Sequence, residues 1–170
     1  MDQTAVRIIR EATGVDAQYL EQLYTFSPGH GPVREIVISY LGLFSPDTPV
    51  TAGTIDLAWP LVKDAQPADG LDQMVLDYAL IRLRAKLGYS NIAFYLVPST
   101  FTLSELQQTY ETILGQPMDK RNFRRRMITS GILTDTRQKR REGSHRPAAL
   151  YRFNLNDDQA SYLTPPRHED

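Results

Sequence analysis

Met118-Asp119-Lys120-Arg121-Asn122-Phe123-Arg124-Arg125-Arg126-Met127-Ile128 reads as a short helix with a basic face, and its neighbours decide the fold. Asp119 stands where a side-chain oxygen caps a helix, Phe123, Met127 and Ile128 fall on one side, and Lys120, Arg121, Arg124 and Arg125 fall on the other. Upstream, Thr102-Leu103-Ser104-Glu105 fits a capping box, in which the Thr hydroxyl accepts from the residue 105 amide and the Glu carboxylate reaches back. The helix it opens buries Leu103, Leu106, Tyr110, Ile113 and Leu114 and stops at Gly115, before a turn containing Pro117. Downstream, Ile132-Leu133 and Leu150-Tyr151-Arg152-Phe153 are strand-like pieces separated by a polar, basic loop from Arg137 to Pro147. Helix, turn, basic helix and basic hairpin is the pattern of a winged helix-turn-helix.

Charge follows the same division. From Asp119 to Arg152 there are eleven Lys/Arg against three Asp/Glu, a local charge of +8, while the remaining residues sum to −9. The net charge of −1 therefore conceals a basic end suited to a polyanion. Lys and Arg replace the counterions condensed on phosphates, and a helix fits the major groove with its first residues against base edges. Lys120, Arg121 and Asn122 are accordingly the candidates for base contacts, Arg for guanine and Asn for adenine, and Arg124 and Arg125 for phosphates. In the loop, Arg137, Lys139, Arg140, Arg141 and Arg146 can follow the backbone or place an Arg in a narrow minor groove. A solvated charged surface is the plain alternative, but here the cations coincide with helix, turn and wing. Single-stranded RNA would want exposed aromatic platforms, whereas Phe123 sits at a core-facing position, so duplex DNA is the expected partner.

At 170 residues with 41% hydrophobic composition, the chain can fill one ordinary core or two small ones. It carries no apolar run near the roughly 20 residues that span a bilayer and no signal-peptide pattern, which implies a cytoplasmic protein with no membrane partner. The absence of Cys removes disulfides and thiolate zinc sites, and His30, His145 and His168 have no metal-ligand spacing, so neither metal nor cofactor is expected. Thr4 to Thr13 shows a helical face of Ala5, Ile8, Ile9 and Ala12 with Gly14 as its stop. Tyr19 to Phe26 and Ile36 to Phe44 read as strands, Leu57-Ala58-Trp59-Pro60-Leu61 as another short one, and Lys63 to Gly70 as a boundary. Leu71 to Leu87 reads as a long connecting helix with apolar Leu71, Met74, Val75, Tyr78, Ile81, Leu83 and Leu87.

Phe101 to Gln107, Tyr110-Glu111 with Ile113-Leu114-Gly115, Asp119 to Arg125, Arg146-Pro147-Ala148 and Leu150 to Phe153 together resemble the winged-helix domain of Nudix-related transcriptional regulators, the NrtR family. The resemblance covers about Leu87 to Phe153. It implies an α+β chain: a partial Nudix-like α/β/α domain over 1–65, a connecting helix over 66–90, a winged helix-turn-helix over 91–155 and a flexible tail over 156–170. It further implies a bacterial homodimer that binds duplex DNA, controls NAD or sugar metabolism genes and takes ADP-ribose or a related nucleotide as effector. Arg34, near a basic position of the family, is the candidate effector contact, against its plainer role as a surface Arg beside Glu35. His30 is a weaker candidate in the same region.

In a functional Nudix motif, acids on one helix ligate the divalent ions that activate water on a pyrophosphate. The matching run here is Arg7-Ile8-Ile9-Arg10-Glu11-Ala12-Thr13-Gly14-Val15, where Glu11 survives but Ile8 and Ala12 stand at acidic positions. The motif's earlier Gly and Glu would precede Met1, and the strands that normally come first have no counterpart, through shortening or erosion of the domain. The expectation is a sensor that is not an enzyme. The competing functions are a Nudix hydrolase of nucleoside diphosphate derivatives with a helical appendage, disfavoured by that acid count, and a dimerisation or adaptor fragment using the Leu71 to Leu87 helix.

Overall fold

Residues 2–28, 35–50, 58–141 and 147–154 are described by the computed structural model, and the chain divides into two compact units. The first comprises Met1–Phe44 and Thr48–Arg82, the second Ser45–Asp47 and Leu83–Asp170.

In the first unit, α1 (Asp2–Thr13) ends where the Gly14 amide donates to the Arg10 carbonyl at 2.9 Å. Ala5 is buried and Ile9 and Ala12 half-buried, whereas Ile8, at the border of the expected stripe, is 50% exposed. β1 (Tyr19–Phe26) and β2 (Val37–Leu43) form an antiparallel pair running from Tyr19 opposite Leu43 to Phe26 opposite Val37. Their register shifts by one between Gln22 and Tyr24, so Leu23 is an extra residue on β1, and it is buried. Gly42 lets a neighbour approach β2 closely: a Cβ there would meet Cδ1 of Ile9 at 3.2 Å.

Residues 58–61 form no strand, contrary to the sequence expectation, and Leu57 lies outside the described residues. Pro60 has no N–H for a ladder, and Trp59 instead meets Phe44 edge to face at 5.8 Å. A 3₁₀ turn (Val62–Asp64) precedes α2 (Gly70–Leu87), the expected long helix. Tyr78 on α2 packs against Tyr24 and Phe26, with ring centroids 4.8 and 6.2 Å away. Met74 and Ile81 remain 57% and 61% exposed. Leu76 and Leu80, outside the expected apolar set, line up with Leu83 and Leu87 as a further stripe, so this helix is apolar on more than one face.

The second unit follows the expected winged helix-turn-helix order: α3 (Leu103–Leu114), α4 (Lys120–Thr129), β3 (Leu133–Arg140) and β4 (Ala148–Phe153). Thr102 and Glu105 complete the capping box reciprocally, at 3.2 Å to the Glu105 amide and 2.7 Å from the Thr102 amide. Gly115 closes α3 at φ 72°, a left-handed conformation that glycine adopts without a Cβ penalty. Arg84, in the part of α2 belonging to this unit, donates from Nε to the Ile113 carbonyl at 2.8 Å near that same helix end. Phe101 pairs with Tyr151 through hydrogen bonds of 3.0 and 2.8 Å, an isolated antiparallel bridge on the side of β4 away from β3. The core gathers Ile92, Ala93, Val97, Phe101, Leu106, Phe123, Met127 and Leu150. Ile128, expected inside, is 58% exposed, because one turn of α4 suffices to bring Phe123 and Met127 under cover.

β3 runs on to Arg140, so the loop expected from Arg137 begins later. Pairing of Leu133 with Phe153, Thr134 with Arg152 and Asp135 with Tyr151 resumes at Lys139 with Ala149 and Arg140 with Ala148. Three β3 residues, Thr136 to Gln138, thus face the single residue Leu150. Most of this stretch is polar and exposed, so no apolar alternation marks it as strand.

Replacing Phe101, which is fully buried against Phe153, with Ala should lower the opening free energy of the most protected α3 amides by about 3–5 kcal/mol. Native-state hydrogen exchange checks this, and unchanged α3 protection would place the core elsewhere.

Candidate nucleic-acid interface

The turn between α3 and α4 sets where the basic helix points. Glu111 accepts from the Met118 amide at 2.8 Å and from the Gln107 side-chain amide at 2.9 Å, while that same Gln107 nitrogen donates to the Met118 carbonyl at 3.0 Å. Both backbone polar groups of Met118 are therefore held by two side chains one helical turn apart on α3. The Met118 amide, with a contribution from Gln107, keeps the Glu111 carboxyl below its ordinary pKa. Sequence reasoning missed this pair; its signal was the Gln-x-x-x-Glu spacing on an otherwise core-facing helix.

Asp119 caps α4 as expected, accepting from the Asn122 amide at 2.7 Å. Lys120, Arg121, Asn122, Arg124 and Arg125 are all exposed on one short helix. Arg124 donates to the Ser104 hydroxyl and Arg125 to Oδ1 of Asn122, each at 3.3 Å, so these side chains already have defined directions. Phe123 faces inward and meets Tyr110 edge to face at 5.4 Å. Half-buried Arg126, absent from the sequence-derived candidates, lies over the Phe123 ring at 6.0 Å. Burial pushes the Tyr110 hydroxyl up to about 12, against the opposing pull of Arg126, which keeps that core residue neutral.

In the wing, Arg137, Lys139 and Arg141 are exposed, and Arg146 lies outside the described residues, as do Arg34 and His30. Arg140 turns back to an ion pair with Glu105 of α3. Glu105 thereby joins the capping box to the wing. Burial opposes its ionisation, but the Thr102 amide and then Arg140 outweigh that and hold its carboxyl below the ordinary value. Arg137 has φ 60°, the left-handed region, at a cost of roughly 1–2 kcal/mol for a residue with a Cβ. Its amide donates to Oδ1 of Asp135 at 2.7 Å. The Thr136 hydroxyl donates to the Leu150 carbonyl at 2.8 Å and accepts from the Gln138 amide at 3.2 Å.

A family model described as the NrtR DNA-binding winged helix domain matches residues 93–153. The ADPR responsive transcriptional repressor NtrR of Acinetobacter baylyi is 35% identical over 175 residues, covering 98% of this chain and 70% of that protein. NrtR of Shewanella oneidensis, crystallised in complex with a 27mer DNA, is similar at TM-score 0.75 and 30% identity, over 96% of this chain and 77% of its own. A further crystal structure of the same Shewanella protein gives TM-score 0.73 at 29% identity.

Because the folded Glu105 carboxyl is depressed, its stabilising contribution is complete above its ordinary value of 4.5 and is lost as pH falls through the lower folded value. Acid titration followed by NMR should therefore show the Thr102 amide and the Arg140 side chain moving together below about pH 4.5. Glu105→Gln should abolish the shared transition; its persistence would assign it to another carboxylate.

Proposed function

This chain belongs to the NrtR family, and from that membership we propose that it is a DNA-binding transcriptional regulator whose first unit senses ADP-ribose or a related nucleotide without hydrolysing it. The observation that carries this is the exposed row Lys120, Arg121, Asn122, Arg124 and Arg125 on a helix whose entry is fixed at both polar groups of Met118. In this reading Lys120, Arg121 and Asn122 contact base edges from the start of the helix. Arg124, Arg125 and the wing cations Arg137, Lys139 and Arg141 neutralise phosphates. Arg140 holds the wing against Glu105 and adds its charge from there.

The effector assignment rests on the ADPR responsive repressor, of which this chain covers 70%. Residues 1–65 are taken as a Nudix-like part, supported by α1 followed by the β1–β2 pair. The case against hydrolysis rests on the sequence positions of Ile8 and Ala12 and on Glu11, whose carboxylate accepts two hydrogen bonds from Arg7 at 2.8 and 3.0 Å. The exposed Met74 and Ile81 on α2 support a homodimer, which would place two winged helices on paired half-sites. A nucleotide then acts by favouring one spacing of the two over another, in proportion to its differential affinity.

The test is fluorescence anisotropy of the whole chain with a labelled duplex from upstream of its own gene, at near-physiological salt, with unlabelled competitor and with and without ADP-ribose. Competitor-resistant binding weakened by ADP-ribose is the expected result. Metal-dependent release of AMP from ADP-ribose would instead revive the hydrolase. Arg124→Ala should weaken all duplexes alike and reduce the salt slope by about one unit. Arg121→Ala should cost roughly 1–3 kcal/mol on the preferred site and relax discrimination there. Equal losses from both would refute this division of roles.

A further inference from the structure

The insertion in β3 is the part of the wing that the hairpin itself does not require. Asp135 still pairs with Tyr151 and Lys139 already pairs with Ala149, so the ladder has two residues more on one strand than on the other. Adding two residues preserves the inward and outward alternation on either side, so the insertion does not serve to re-face the strand. What it changes is the segment Thr136 to Gln138, which leaves the ladder opposite Leu150. At its centre stands an exposed Arg in the left-handed conformation, where Gly, Asn or Asp would sit with less strain. Two side chains stabilise that conformation: Asp135 takes the Arg137 amide, and Thr136 spans the insertion from the Leu150 carbonyl to the Gln138 amide. Backbone strain supported in this way and carrying a solvent-facing cation marks a side chain set at a chosen position.

We propose that the β3 bulge is a positioning device that presents Arg137 to a backbone phosphate of the bound duplex, with Asp135 and Thr136 as its positioning residues. This rests on the DNA-binding function proposed above and goes beyond it by giving an acidic residue a favourable role on a basic surface. A carboxylate beside a polyanion opposes binding by charge, so Asp135 separates the two effects cleanly. If Asp135 matters only through its charge, removing it strengthens binding. If it holds Arg137, removing its acceptor weakens binding, although the wing becomes more positive.

The experiment uses the whole 170-residue chain, a labelled duplex selected by the unmodified protein from a randomised pool, and a salt titration for each variant. Arg137→Gly keeps a residue suited to φ 60° and deletes the guanidinium; it should lower affinity about five- to tenfold and reduce the salt slope by about one unit. Asp135→Ala should weaken binding about threefold or more, while Asp135→Asn, which keeps the side-chain oxygen and loses the charge, should bind at least as tightly as the unmodified chain. Unchanged thermal unfolding of Arg137→Gly and Asp135→Asn guards against a folding defect. Tighter or equal binding by Asp135→Ala, or an unaltered salt slope for Arg137→Gly, would overturn the proposal. Those results alongside lost affinity on Arg121→Ala would leave the DNA-binding function standing; failure of the unmodified chain to select any duplex would remove both.

Discussion

The hold of Gln107 and Glu111 on Met118 is the constraint on which the basic face depends. A short helix entering a groove is useful only if its axis is fixed relative to the body that carries it. Apolar burial of Phe123 and Met127 attaches α4 but is tolerant of small rotations, since dispersion contacts have little directionality. Hydrogen bonds to the amide and carbonyl of one turn residue are directional, and they act just before the Asp119 cap. Position therefore passes from α3 through Met118 and Asp119 to the first residues of α4, which are the ones suited to base edges.

Glu105 does for the wing what Glu111 does for the turn. Both are acids on α3, and both bind partners beyond the end of that helix, the first Arg140 and the second Met118. A region of eleven basic residues and three acidic ones repels itself, so a carboxylate at each junction also relieves like-charge crowding where helix and wing meet. The acids that look contrary to polyanion binding are thus the ones that order the cations. Ser104 and Asn122 extend this without charge, giving Arg124 and Arg125 defined directions.

Much of the second unit was legible in the sequence because its signals are local. The Thr102–Glu105 box, the Gly115 stop and the Asp119 cap are spelled within four residues and appear as read. Non-local devices were not legible. The Arg140–Glu105 pair joins positions 35 apart in number, and the β3 bulge exists only relative to β4. The Leu57 to Leu61 run misled because its apolar composition outweighed Pro60, and Ile128 misled because a ten-residue helix offers room for few inward residues. α2 was legible as a helix but its facing was not, since apolar side chains circle it. Of the candidate contacts, α4 lies where the sequence put it, whereas Arg34 and Arg146 fall outside the described residues.

Arg137 shows why composition is a poor guide to the role of a charge. Lys139 and Arg141 are exposed on backbone without a positive φ, and fixing a long side chain of this kind costs as much as roughly 2 kcal/mol in rotamer entropy. At Arg137 what the folded chain fixes is the direction in which the side chain leaves the backbone, through a backbone state costing about as much and offset by the Asp135 and Thr136 hydrogen bonds. Strain borne during folding is not borne again on binding. A wing so built sets where one cation leaves the backbone, and in the role proposed for Arg137 that favours a definite register on the duplex without requiring every contact to be rigid.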